Sequence, residues 1–171
     1  MKAALFGNPQ SGRTVLFKYL GIIPVNSDRL PKQISLKVND PRVDRLTAEY
    51  SSAKVVKSEF ILYDTTGDIE ADGRSLELIR PAEALLWQLR GFDDGFGKPT
   101  PDEDFVILRE LAIEMDLKTL NKRNETVQTR LKRGAQGDDK KNLLREGADI
   151  DSMIEHLNSG KTLRSFDLNE N

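Results

Sequence analysis

The stretch GNPQSGRT, residues 7–14, lies between a short apolar run at 2–6 and a run with helical spacing at 13–20. Two glycines separated by four residues, then a basic residue and a threonine, form the spacing of a phosphate-binding loop, or P-loop. The glycines let successive backbone N–H groups converge on an anion, and the helix that follows adds the positive end of its dipole. The stretch therefore predicts a strand, a phosphate loop and a helix in succession.

The candidate nucleotide-binding residues of this loop are consecutive in sequence: Asn8, Pro9, Gln10, Ser11, Gly12, Arg13 and Thr14. Thr14 is expected to give its hydroxyl to Mg²⁺. Arg13 stands where the pattern normally has lysine, and its planar guanidinium is bulkier and directs its donors differently from an ammonium group. We therefore expect phosphate binding to be kept or weakened. A plain Gly/Pro turn between strand and helix is the alternative.

A second candidate element, Asp64-Thr65-Thr66-Gly67, follows a run rich in β-branched and aromatic residues at 55–63. In P-loop proteins an aspartate at this place orders Mg²⁺, and a glycine N–H meets the γ-phosphate. Asp64 is therefore the second metal candidate beside Thr14, and Gly67 is a nucleotide-binding candidate. The sequence identifies no catalytic residue, so any hydrolysis is expected to be slow.

Composition excludes several classes of function. The 171 residues include 26 Lys and Arg against 28 Asp and Glu, no cysteine and one histidine. The absence of cysteine excludes a disulfide framework and thiol chemistry, and a single histidine makes a multi-histidine metal site improbable. No apolar run approaches the roughly 18 residues of a membrane span, so we expect no membrane association and a cytoplasmic protein.

The chain changes character after its first hundred residues. Strands are predicted near 2–7, 33–38, 55–64 and 83–91, although 83–92 fits helix or strand by pattern alone. A helix is predicted with Asp40 as its cap and Pro41 as its first residue. From Glu103 apolar residues recur at alternating three- and four-residue steps, which predicts two antiparallel helices joined by a glycine-containing turn. His156 is expected to be exposed, and the polar segment from Asn158 to be partly loose.

The sequence resembles the YchF/Obg-like ATPases, a branch of the translation-factor-related P-loop GTPases. The likeness covers GNPQSGRTVLFKYL at 7–20, the segment 38–67 with its Asp-Pro-Arg-x-Asp-x-Leu stretch, and 83–94, which ends LRGFDD. The resemblance implies that 83–91 is a strand. It also implies that 103–157 corresponds to the helical hairpin that the family inserts after that strand.

These observations predict an α/β fold. It consists of a partial P-loop NTPase sheet flanked by helices, with an inserted antiparallel α-helical (coiled-coil) hairpin. The expected domains are the NTPase core at 1–102, the hairpin at 103–158 and a return segment or tail at 159–171. The chain departs from the family at Arg13, in the acidic stretch 68–72, and in lacking an obvious switch threonine and a base-recognition segment. It therefore gives no basis for choosing between ATP and GTP.

The resemblance implies a divergent YchF-type protein that binds GTP or ATP together with Mg²⁺. Such a protein is expected to hydrolyse the nucleotide weakly, as a GTPase or ATPase, or not to hydrolyse it at all. The resemblance also suggests contact with the ribosome or ribosomal RNA through basic residues near the predicted hairpin tip, while the oligomeric state stays open. These residues are Lys122, Arg123, Arg130, Lys132, Arg133, Lys140 and Lys141. Two alternatives stay open: an interaction module that keeps the fold but has lost the nucleotide, and one piece of a split NTPase.

Overall fold

The computed structural model describes residues 1–24, 26, 31–50, 54–65, 77, 79–93, 95 and 97–167. They form two compact units, and the boundary between the units lies between Asp104 and Phe105. None of the helices in the described part of the chain is both long and apolar enough to cross a membrane.

The first unit is an α/β layer, and the elements whose bounds the described residues define are four strands and two helices. In chain order these are β1 (Lys2–Gly7), α1 (Arg13–Leu20), β2 (Gln33–Lys37), α2 (Pro41–Tyr50), β3 (Glu59–Asp64) and β4 (Ala84–Gln88). The strands form one sheet in the order β2-β3-β1-β4. Strand β1 runs parallel to both β3 and β4, whereas β2 is antiparallel to β3.

The core of this unit lies around β1, which has a partner strand on each side. Residues 3–6 of β1 are at most 1% exposed, as expected for a parallel strand covered on both faces. Ala3 and Leu5 pack with Phe17 of α1, Ile34 of β2 and Leu62 of β3. The apolar run that precedes the glycine loop is therefore the centre of the sheet.

The predicted elements of this unit are confirmed in kind, and β1 and α1 also have the predicted bounds, whereas other strand ends differ. The segment 83–91 is a strand, at Ala84–Gln88, and the third strand begins at Glu59 rather than at 55. Strand ends depend on which neighbour supplies backbone partners, which side-chain pattern does not encode. Helix α2 begins at Pro41 as predicted, because the Asp40 side chain accepts a hydrogen bond from the Arg42 backbone N–H at 2.9 Å.

Helix α3 spans Pro101–Lys132 and has its first turn in the first unit; the remainder forms the second unit together with α4 (Gly137–Asn158) and a short 3₁₀ turn (Leu163–Ser165). Val127 of α3 packs with Leu143 and Ile150 of α4. Three polar pairs join the same two helices: Arg123–Glu146, Asn124–Asp151 and Arg130–Asp139. The residue latest in α3, Arg130, pairs with the residue earliest in α4, Asp139, so the two helices are antiparallel. The coiled-coil form of this helix pair and the domain bounds 1–102, 103–158 and 159–171 stay predictions.

The segment after α4 is more ordered than the sequence suggests. His156 is half-buried, with its Nε2 3.1 Å from the Thr162 carbonyl oxygen and 3.0 Å from the Ser165 hydroxyl. Its ring meets the edge of Phe166 at a centroid distance of 5.2 Å. The expectation of an exposed His156 is therefore wrong. The segment from Asn158, expected to be partly loose, is held against α4 by these contacts as far as residue 167.

Candidate phosphate-binding site

The glycine loop connects the carboxyl end of β1 to the amino end of α1. Its backbone turns through two residues with positive φ, Gln10 at 63° and Gly12 at 90°. The Ser11 N–H donates to the Asn8 carbonyl oxygen at 3.2 Å, which closes the turn. Gly12 is the N-cap residue of α1 and, having no side chain, makes no capping hydrogen bond to the first N–H groups of the helix. Such a turn into an uncapped helix start is the backbone arrangement that binds anions.

Gly7 is required by close approach rather than by its backbone angles. A Cβ added there would lie 2.5 Å from the backbone oxygen of Gln88 in β4 and 2.8 Å from the Ser11 hydroxyl. Gly12 combines its positive φ with a nearby Phe92 ring, 3.4 Å from the position of an added Cβ. The two glycines of the motif therefore have different tasks: one lets β4 approach the loop, and the other makes the turn.

Arg13 is buried, with 7% of its surface exposed, and its guanidinium is held by the residue that follows β3. Its Nη1 donates to the Thr65 carbonyl oxygen at 2.6 Å and to the Thr65 hydroxyl at 2.7 Å. That hydroxyl in turn donates to the carbonyl oxygen of Leu5 in β1 at 2.5 Å. Sequence reasoning did not assign a role to Thr65, because a threonine after Asp64 carries no signal until its contact with Arg13 is seen.

Asp64 ends β3 and is buried, with 5% exposed, yet neither of its carboxylate oxygens has a hydrogen-bond partner among the residues that the structure describes. Burial raises the pKa of Asp64, and the positive charge of Arg13 opposes that shift. The Thr14 side chain also acts to lower this pKa, although it does not reach hydrogen-bonding geometry with the carboxylate. Among the described residues, the Ser11 hydroxyl is the other buried side-chain oxygen without a hydrogen-bond partner.

The structure thus brings the loop and Asp64 to one edge of the sheet. Strands β1 and β3 are parallel neighbours with Leu5 opposite Asp64, so their carboxyl ends meet there. Gly67 and the acidic stretch 68–72 lie outside the described residues. The described part of the chain contains no group of three or more acidic or histidine side chains that could hold a metal ion. A metal held here by Thr14 and Asp64 would therefore complete its shell with water and with oxygens of a ligand, as Mg²⁺ ordinarily does.

A further contact of the loop comes from the first turn of α3. The Asp104 carboxylate accepts one hydrogen bond from the Asn8 side-chain amide at 2.9 Å and another from the Arg90 backbone N–H at 3.1 Å. Sequence reasoning missed Asp104, since 96 residues separate it from Asn8 and its acidic neighbours Asp102 and Glu103 resemble it in every local respect.

The parallel arrangement of β3, β1 and β4, with a glycine loop between β1 and α1, is consistent with a partial P-loop NTPase fold. The YchF GTPase of Schizosaccharomyces pombe has a similar solved structure, with a TM-score of 0.74 and 22% sequence identity over 99% of this chain. The match covers 50% of that structure's chain, so the present chain spans about half its length. The sequence matches no protein-family model and no curated protein. The structural similarity supports the resemblance to the YchF/Obg-like proteins at the level of the fold.

Proposed function

We propose that this chain binds a Mg²⁺–nucleoside triphosphate, GTP or ATP, in the manner of YchF proteins, with weak or no hydrolysis. The observation that carries the proposal is a set of three buried oxygens without partners among the described residues: the Ser11 hydroxyl and both carboxylate oxygens of Asp64. Buried polar atoms are nearly always hydrogen-bonded in native proteins, so exceptions such as these indicate a missing ligand or ion. Their position beside the glycine loop indicates phosphate and metal.

The residues divide into two roles in this proposal. The backbone N–H groups of residues 10–14 hold the phosphates, and Gly67, which lies outside the described residues, is assigned to the terminal one. Thr14 and Asp64 hold Mg²⁺, which when bound neutralises negative charge on the phosphates. An unpartnered buried carboxylate next to a threonine hydroxyl is an oxygen donor set that suits this hard cation.

Weak or absent hydrolysis is proposed because the cation of the loop is already engaged. In the usual pattern the loop lysine reaches the β- and γ-phosphates. Here the Arg13 guanidinium faces the carbonyl and hydroxyl oxygens of Thr65. Turning this Nη1 toward a terminal phosphate would break both hydrogen bonds to Thr65.

The second candidate function is a non-catalytic interaction module that keeps the fold without the nucleotide. The packed Arg13 favours it, since a buried guanidinium bound to Thr65 stabilises the loop without any ligand. The two candidates differ in one measurable property, the affinity for triphosphate.

Calorimetric titration with Mg-GTP and Mg-ATP tests the proposal, and we expect dissociation constants below about 1 mM for at least one of them. Chelating Mg²⁺, or changing Asp64 to Asn, should weaken binding at least tenfold, about 1.4 kcal/mol. Because burial already disfavours the charged carboxylate, D64N should fold at least as stably as the parent. D149N, which changes an exposed aspartate of α4, should bind normally. If neither nucleotide binds at millimolar concentration, the interaction module is the better description.

We propose further that the basic hairpin tip contacts ribosomal RNA. Two of its seven cations have acidic partners, Arg123 with Glu146 at 2.5 Å and Arg130 with Asp139 at 3.0 Å. The other five have no ion pair among the described residues: Lys122, Lys132, Arg133, Lys140 and Lys141. Exposed cations without an acidic partner can neutralise phosphates and release their counterions, which makes binding salt-dependent.

Removing three tip charges, with Arg130, Lys132 and Arg133 changed to Gln, should weaken binding to ribosomes or double-stranded RNA by about tenfold or more at low salt and flatten the salt dependence. The matched control changes three exposed lysines of the first unit, Lys2, Lys37 and Lys54, to Gln, which alters net charge equally and should change binding less. Equal affinity of the tip variant and the parent would refute RNA contact through the tip.

A further inference from the structure

Asp104 lies in the first turn of α3 but uses both carboxylate oxygens away from its own helix. One accepts from the Asn8 side-chain amide at 2.9 Å, and the other accepts from the Arg90 backbone N–H at 3.1 Å. Hydrogen bonds to an ionised acceptor are stronger than those between neutral groups. A single side chain therefore joins the second residue of the phosphate loop to the segment that follows β4.

Both attachment points bear on the shape of the loop. The Asn8 carbonyl oxygen accepts the Ser11 N–H at 3.2 Å, so Asn8 is one end of the turn that places Ser11 and Gly12. Two residues after Arg90, the Phe92 ring lies 3.4 Å from the position of an added Cβ on Gly12. The segment 90–92 thus borders the loop on the side of Gly12, while Asp104 fixes both this segment and Asn8.

We propose that Asp104 is a positioning residue for the phosphate loop: it holds Asn8 and the 90–92 segment so that the loop keeps its anion-binding form before any ligand arrives. That the loop binds a triphosphate rests on the proposed function, whereas the positioning of the loop by Asp104 does not. A glycine-containing loop has many alternative conformations, and a ligand that must first order it binds more weakly. Removing the carboxylate should leave the strands intact and loosen the loop.

The test compares Asp104→Ala and Asp104→Asn with the parent by amide hydrogen exchange and by Mg-triphosphate titration. In D104A the backbone amides of residues 8 and 10–14 should exchange about tenfold faster, while those of β1 and β3 change little, since loop opening is local. Triphosphate affinity should fall about tenfold, the loss expected for charge-assisted hydrogen bonds. In D104N a single carbonyl-type oxygen replaces two acceptors, so an intermediate effect is expected on both readouts.

Asp102→Ala is the matched control, because it removes an exposed carboxylate from the same helical turn and should leave loop exchange and affinity unchanged. Unchanged exchange at residues 8 and 10–14 in D104A overturns the proposal, and so does faster exchange spread equally over the sheet. If the parent binds no triphosphate, the proposed function fails by itself, and the exchange measurement still decides the role of Asp104.

Discussion

Changing Gly7 to Ala is expected to destabilise the first unit by about 2–3 kcal/mol, the cost of forcing extra volume into a packed site. The reason is the 2.5 Å separation between an added Cβ and the Gln88 backbone oxygen. A flexible side chain could rotate away, but a backbone oxygen moves only if β4 moves relative to β1. The nearby Ser11 hydroxyl, at 2.8 Å, would also have to shift, so the loop would lose the form that suits an anion.

Thermal unfolding followed by circular dichroism measures this effect, with an expected drop in midpoint of roughly 4–12 °C for a chain of this size. Gly91→Ala is the matched control, since an added Cβ there has no heavy atom within 4 Å. The G91A variant should stay within about 0.5 kcal/mol of the parent. Equal midpoints for G7A and G91A would show that β4 does not approach the loop as closely as described.

Arg13→Lys is expected to raise the affinity for Mg-triphosphate about tenfold, about 1.4 kcal/mol. The Arg13 guanidinium donates to two oxygens of Thr65 at 2.6 and 2.7 Å. A lysine Nζ sits one bond closer to the backbone than the terminal Nη nitrogens of arginine, so it reaches these oxygens less well and is free to turn into the loop. Its compact ammonium carries three donors that suit phosphate oxygens.

The same substitution should lower the free energy of unfolding by about 1–2 kcal/mol, because the hydrogen bonds to Thr65 are weakened or lost. If R13K binds Mg-triphosphate more tightly but unfolds more easily than the parent, the side chain at position 13 has exchanged its contact with Thr65 for a contact with the ligand. Arg13→Met is the control for the charge of the new side chain. It also loses the hydrogen bonds to Thr65, but methionine is uncharged, so this variant should bind Mg-triphosphate no more tightly than the parent. If R13K binds no more tightly than the parent, the contact with Thr65 is not what limits affinity.

The parts of the candidate site that consist of consecutive residues were predictable from the sequence. The loop pattern at 7–14 and the aspartate at the end of an apolar run placed Thr14 and Asp64, and the structure brings the loop and Asp64 to one sheet edge. The partners of these residues were not predictable. Thr65 holds Arg13 across 52 positions, and no pattern of single residues carries a contact at that separation.

The second half of the chain shows the same division. Its two helices followed from apolar periodicity, which is a local property of one chain segment. The contacts of the return segment did not follow from local periodicity, because they form between His156 and Thr162, Ser165 and Phe166 only after the chain has turned. Polar composition predicted looseness there, and specific hydrogen bonds overrode it.

By itself the sequence pattern predicted the α/β character, three of the four strands and the position of the glycine loop, whereas the strand at 83–91 was implied only by the family resemblance. The predictions from pattern follow from short-range features: apolar runs, glycine spacing and the cap that Asp40 forms before Pro41. Only the tertiary structure decided where the Arg13 charge is used and which acidic residue supports the loop. Both depend on distances between chain segments far apart in sequence, and such distances are set when the strands pair and the buried polar groups find their partners.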